Sequence, residues 1–255
     1  MRDNIATRFP NIARWLSRYL KKLGALPSAE YVVLRYELEN VGEYQRRLDL
    51  LDSHLETAGE RCSNFGQLIG ELRGFGTSVD GANGMLLDKL AEVRAVVGLD
   101  ELGFRDITFS GTPDLTATRD GKEFAVEVTR IAASGGIRQL SGDYEIQLIA
   151  EGDEDVLSLQ IVTKAVAKRE QLLPANFRDA NHILWISTGR DYFLAGRYEP
   201  QSAGLRNRMP KHLREMVERA SRGERIRRDY PELIYMVASP GADAQPALIR
   251  VMHDK

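Results

Sequence analysis

Residues 111–130 read GTPDLTATRDGKEFAVEVTR, and the pair Asp120-Gly121 in their middle decides how the segment folds. A two-residue type I′ turn needs positive φ at both central positions, which Asp-Gly tolerates. The spacing predicts a hairpin in which Arg119 opposes Lys122, Thr118 opposes Glu123, Ala117 opposes Phe124 and Leu115 opposes Val126. One position further, the same register sets Asp114 opposite Glu127. Directly opposed side chains share a face, with Cβ atoms about 4.5–5.5 Å apart. Two carboxylates at that separation repel unless a cation lies between them, and a divalent metal ion is the expected occupant.

The rest of the hairpin agrees with this register. Leu115, Ala117, Phe124, Val126 and Val128 fall on one apolar face, because side chains alternate across a strand. Pro113 lacks a backbone donor and fits just before the ladder begins. The plainer alternative makes Asp114 and Glu127 ordinary solvent-face residues of an antiparallel hairpin.

Pro113-Asp114, followed after a short gap by Glu127-Val128-Thr129 on an apolar strand, resembles the PD-(D/E)xK nuclease superfamily, whose fold is called restriction-endonuclease-like. The element order read from the sequence is similar too. A helix carrying Glu92 precedes a strand over Phe104 to Phe109, then the hairpin, a helix from about Asp155 to Leu172, and a strand over His182 to Ser187. The resemblance spans roughly Met85 to Thr188 and implies an α/β fold with an α-β-β-β-α-β core and a mixed sheet. A helical N-terminal lobe over residues 1–80 and a nuclease domain over residues 81–255 are the expected division.

Carried onto this chain, the resemblance implies that Asp114 and Glu127 bind Mg²⁺, with Mn²⁺ able to substitute. It also implies the Val128 carbonyl as a further ligand and Glu92 as the acidic residue of the preceding helix. A solvated helix-face glutamate is the alternative for Glu92. The family's lysine falls at Thr129, on the face of Glu127, and threonine carries no charge to set over a phosphate. A basic residue from the following helix is the expected replacement. Leu157, Ile161, Ala165 and Leu172 form the buried stripe of that helix, and Lys164 and Lys168 flank it. Lys164 is the preferred candidate, against the plainer reading of a snorkelling side chain. The implied activity is metal-dependent hydrolysis of phosphodiester bonds in DNA, leaving a 5′ phosphate. The alternative is a catalytically inactive relative that binds nucleic acid or a partner protein.

Lys and Arg number 35 against 37 Asp and Glu, a net charge of −2, so affinity for nucleic acid has to come from a local patch. The segment Arg206 to Arg228 offers one, with nine basic residues against three glutamates. Within it, Arg206, Arg208, Lys211, Arg222, Arg225, Arg227 and Arg228 are the candidate phosphate contacts, and a solvated basic helix is the alternative. Residues Ile131 to Glu154 read as a long insertion beside the candidate site. A single cysteine, Cys62, leaves no intramolecular disulfide and fits a reducing, cytoplasmic setting. The first residues do not resemble a signal peptide, and no run of about 18 apolar residues predicts a membrane span.

Before residue 80 the pattern is helical. Ile12, Trp15, Leu16, Tyr19, Leu20 and Leu23 repeat at helical spacing, with Gly24 as a C-cap. Leu34, Leu38, Val41, Leu48, Leu51 and Leu55 line a second helix ending near Ala58, although YVVLRYEL at its start also alternates as a strand does. A third, short helix is expected over about Asn64 to Arg73. The Gly-rich run GFGTSVDGANG, 74–84, reads as a turn-rich boundary. The apolar stripes are expected to pack on the sheet, with a homodimer or protein partner through these helices as the other use. Two apolar segments, Leu233 to Ala238 and Ala247 to Met252, should add edge strands to the sheet. The four histidines lack metal-ligand spacing, and no GxxxxGK[ST], dinucleotide or GxSxG motif occurs.

Overall fold

The computed structural model describes residues 2–26, 32–130, 161–169, 180–187 and 213–252. The predicted insertion over Ile131 to Glu154, together with Leu157, Leu172, Arg206, Arg208 and Lys211, lies outside these residues.

Among the described residues six α-helices come before and into the sheet region: α1 (Arg2–Arg8), α2 (Pro10–Leu23), α3 (Val33–Glu39), α4 (Val41–Arg61), α5 (Phe65–Gly70) and α6 (Val79–Glu101). The strands are β1 (Cys62–Ser63), β2 (Arg105–Phe109), β3 (Leu115–Arg119), β4 (Lys122–Arg130), β5 (Asn181–Ser187), β6 (Leu233–Ser239) and β7 (Ala247–Arg250). Residues 161–169 form α7, residues 213–221 form α8, and α9 covers Glu224–Asp229. Among the described residues seven strands form one mixed sheet in sequence order, so β6, expected at an edge, lies inside it between β5 and β7. The pairs β1/β2, β4/β5 and β5/β6 are parallel, and the other three are antiparallel. The chain is therefore an α/β protein.

The hairpin register is the one predicted, from Arg119↔Lys122 through Leu115↔Val126. Asp120 and Gly121 both take positive φ, 51° and 71°, which is what a type I′ turn demands. Strand pairing stops at Leu115, so Asp114 stands just outside the ladder.

Layering follows from alternation in the central strands. Phe124, Val126, Val128, Ile183 and Trp185 join a core shared with α2, α4 and α6. Leu184, Ile186, Met236 and Ala238 face the other way, onto Ile161 and Ala165 of α7 and Leu213 and Val217 of α8. Helices before residue 80 contribute Ile12, Leu16, Leu51 and Leu55 to the same core as the sheet, and β1 extends the sheet beside β2. Gly98 allows α6 to lie close, because a Cβ there would fall 2.2 Å from the Trp185 ring.

Local departures from the sequence reading have local causes. The segment YVVLRYEL contributes to a helix, α3, as the helical pattern predicts, but Asn40 separates α3 from α4 where one continuous helix is expected. The run 74–84 is a turn only at its start. Ser78 caps α6 by accepting a hydrogen bond from Gly81 N at 2.9 Å, so Gly81 and Gly84 are helical. Buried Ala82 and Leu86 then hold the first turns against the core.

Candidate active site

The hairpin opens where β3 begins. In the alternating pattern of an antiparallel pair, the Val128 amide would next bond the carbonyl of Pro113. Here Ser110 Oγ donates to the Pro113 carbonyl at 2.7 Å, and Val128 N–H donates to Asp114 Oδ2 at 2.8 Å. The side chain of Asp114 thus replaces the missing ladder bond, which fixes its carboxylate beside Glu127. Glu127 is buried at 2 % exposure on the sheet face covered by α7. Thr129, two residues on along the same face, is also buried.

A cation does lie between the two carboxylates, and it belongs to the chain. Lys168 Nζ sits 2.7 Å from Glu127 Oε2 and 3.9 Å from Asp114 Oδ2. Helix α7 is anchored next to it by Arg169, whose guanidinium donates to both oxygens of Glu232 at 2.8 Å. Ile161 and Ala165 seat the helix on the sheet. Lys164, the lysine favoured by the sequence pattern, points elsewhere and donates to the carbonyl of Arg130. The helix rotation set by Arg169 and the buried stripe brings Lys168 to the carboxylates and leaves Lys164 one turn away.

Helix α6 supplies the third part of the constellation. Arg130, at the end of β4, pairs with Asp88 at 2.7 Å, which brings the first half of α6 alongside the site. Glu92, one turn on, is buried at 6 % exposure and is not a solvated helix-face residue. Both its oxygens accept from Lys89 Nζ, at 2.7 and 2.8 Å. Lys89 also pairs with Glu71 and lies 5.5 Å from the centre of the Phe109 ring.

The charges perturb one another. Burial pushes Glu127 up, and Asp114 adds to this against the pull of Lys168, leaving its pKa at about 7. Burial likewise pushes Glu92 up to about 8, with Lys89 opposing and the charge of Asp114 reinforcing it. For Lys168, burial favours the neutral amine, but the carboxylates of Asp114 and Glu127 outweigh it and hold the pKa above the ordinary lysine value. For Lys164 burial dominates, with Arg130 adding to it, and the shift is downward. The ammonium at the carboxylates is thus the firmly charged one of the two.

Lys89, Glu71 and Asp88 were not singled out from the sequence. The three-residue spacing of Lys89 and Glu92 on one helix was the available signal. Of the predicted phosphate contacts within the described residues, Arg222 lies 3.9 Å from Glu218, Arg225 lies 3.7 Å from Asp229, and Arg228 lies 2.7 Å from Asp229. Arg227 belongs to the last turn of α9.

This chain matches no protein-family model, no curated protein and no solved structure.

As a donor set for Mg²⁺, the site offers the carboxylates of Asp114 and Glu127. Among the described residues, no group of three or more His, Cys, Asp and Glu side chains is arranged to hold a metal ion. Two hard oxygen donors still suit Mg²⁺, which commonly takes one or two carboxylates and completes its octahedron with water and phosphate. Lys168 Nζ, 2.7 Å from Glu127 Oε2 and 3.9 Å from Asp114 Oδ2, now takes the place between them, so an ion there would have to displace it. These two carboxylates are the oxygens that could hold the ion, while both oxygens of Glu92 accept from Lys89. Among the described residues no helix is long and apolar enough to cross a membrane.

Proposed function

We propose that this chain is a Mg²⁺-dependent nuclease with a restriction-endonuclease-like core, acting on DNA. The observation that carries the reading is the meeting of Lys168 with Asp114 and Glu127. The positive charge absent at Thr129 is delivered from α7, the next described helix, to the same pair of carboxylates. The element order α6-β2-β3-β4-α7-β5 supports the core assignment.

Held by Asp114 and Glu127, Mg²⁺ would polarise a phosphate oxygen and lower the pKa of a bound water. The chain's own residues do the remaining work. Asp114 is oriented by the Val128 amide, so its carboxylate is preorganised and not a free rotor. Lys168 moves from Glu127 to the phosphate, where its ammonium stabilises the negative charge that develops in the transition state. The seal of β4, β5 and α7 around Glu127 lowers the local dielectric and strengthens each of these interactions. On the surface, the side chains of Arg222 and Arg228, 74 % and 69 % exposed, face solvent next to carboxylates that a DNA phosphate would have to displace.

Thermal unfolding of wild type and Glu127→Gln with and without Mn²⁺ tests the metal half of this reading. Wild type should be stabilised by the ion and Glu127→Gln should not, because only binding to the native state raises the melting temperature. Equal stabilisation of both would place the ion elsewhere. A protein that binds the ion and DNA yet cleaves nothing would be the inactive relative.

A further inference from the structure

Glu92 is a buried carboxylate on α6, the helix that Arg130 at the end of β4 grips through Asp88 at 2.7 Å, one turn before Glu92. It is fully engaged. The Lys89 ammonium is bonded to both of its oxygens. That ammonium is itself held in a made-to-measure place. Glu71 pairs with it from the 3₁₀ turn Glu71–Gly74, the Phe109 ring lies beneath it, and its side chain is only 12 % exposed. Phe109 pairs with Leu115, the residue next to Asp114, so Lys89 stands directly beside the catalytic hairpin. A mobile surface lysine would be displaced readily by a divalent ion. This one has three partners and little solvent.

We propose that Lys89 is a resident cation that occupies Glu92, so that the centre takes one divalent ion, between Asp114 and Glu127, and no second one. The inference rests on the nuclease reading above and concerns the number of ions the centre accepts. Its chemical content is a swap. A side-chain ammonium is bonded to Glu92 and Glu71 where a second hydrated Mg²⁺ would otherwise sit. Two-ion centres keep their ions about 3.5–4 Å apart on shared carboxylates. A carboxylate with both oxygens committed to an ammonium cannot join such a pair unless Lys89 leaves.

Electron paramagnetic resonance of free Mn²⁺ counts bound ions directly and needs no turnover. Titrating the full-length protein should show one ion per chain in wild type. Lys89→Met keeps the apolar stem over Phe109 but removes the charge, and should show two. Lys89→Gln is the second variant with the same expectation. Glu92→Gln should still bind a single ion, because Glu92 is not a ligand. Two ions in wild type, one ion in both Lys89 variants, or loss of the ion in Glu92→Gln would each overturn the inference and leave the nuclease reading standing. No bound ion in wild type would overturn the metal centre itself. The wild-type and Glu92→Gln measurements decide the matter even if the Lys89 variants fail to fold.

Discussion

Lys168 Nζ lies 2.7 Å from Glu127 Oε2, so a lysine on α7 meets a carboxylate on β4 that it follows by 41 positions in sequence. Four residues earlier on the same helix, Lys164 donates to the Arg130 carbonyl instead. The two lysines share a helix and differ in what they touch, which separates their expected roles.

Lys168→Ala should lower kcat by orders of magnitude while Mn²⁺ affinity is retained or rises, because a competing ammonium is removed and the loss falls on the transition state. Lys164→Ala should leave kcat within a few fold. Single-turnover cleavage with the two variants side by side makes the comparison. Loss of activity in Lys164→Ala with Lys168→Ala intact would reverse the assignment.

Asp114 has a second duty that its charge alone does not reveal. Its Oδ2 accepts the Val128 amide in place of a ladder carbonyl. Asp114→Ala should therefore destabilise the fold by about 1–3 kcal/mol, the cost of a buried donor left without a partner. Asp114→Asn keeps an acceptor oxygen and should fold nearly as well, yet bind the metal ion poorly. Urea midpoints with Mn²⁺ titrations separate the two. Equal stability of both variants would remove the amide from the account.

The hairpin was legible because its information is local. A two-residue turn fixes the register, and the register fixes which side chains are opposed. The choice of Lys168 over Lys164 was not, since both flank the buried stripe and the helix rotation depends on Arg169 finding Glu232, 63 residues away. Strand β1 was missed for a different reason. Two residues, Cys62 and Ser63, carry no periodic signal and become a strand only beside β2. The start of α6 was hidden by Gly81 and Gly84, whose helix-breaking tendency is overridden by the Ser78 cap and the burial of Ala82 and Leu86. For Lys89 the three-residue spacing to Glu92 was legible, whereas its other partners, Glu71 and the Phe109 ring, come from outside its own helix.

Away from the site, Glu37 should make stability depend on pH. Burial pushes its pKa from 4.5 up to about 7, with Arg47 opposing at 3.3 Å. Its Oε2 is buried with no hydrogen-bond partner, which suits a protonated carboxyl. A raised pKa means that the native state holds the proton more tightly than the unfolded chain. The stabilisation is therefore complete below about pH 4.5 and is lost as pH rises through about 7. Relative to Glu37→Gln, wild type should lose stability across that window, at about 1.4 kcal/mol for each unit of pKa difference. Denaturant midpoints of both proteins across the window give the slope, and parallel curves would contradict it.

The central claim is a Mg²⁺-dependent phosphodiesterase centre built from Asp114, Glu127 and Lys168, and DNA cleavage tests it most directly. Supercoiled plasmid incubated with wild type should be nicked or linearised in Mg²⁺ and untouched when the ion is chelated. Glu127→Gln, which keeps the shape of the side chain and loses its charge, should abolish the reaction. No cleavage of DNA under Mg²⁺ or Mn²⁺, or cleavage undiminished in Glu127→Gln, would contradict the account.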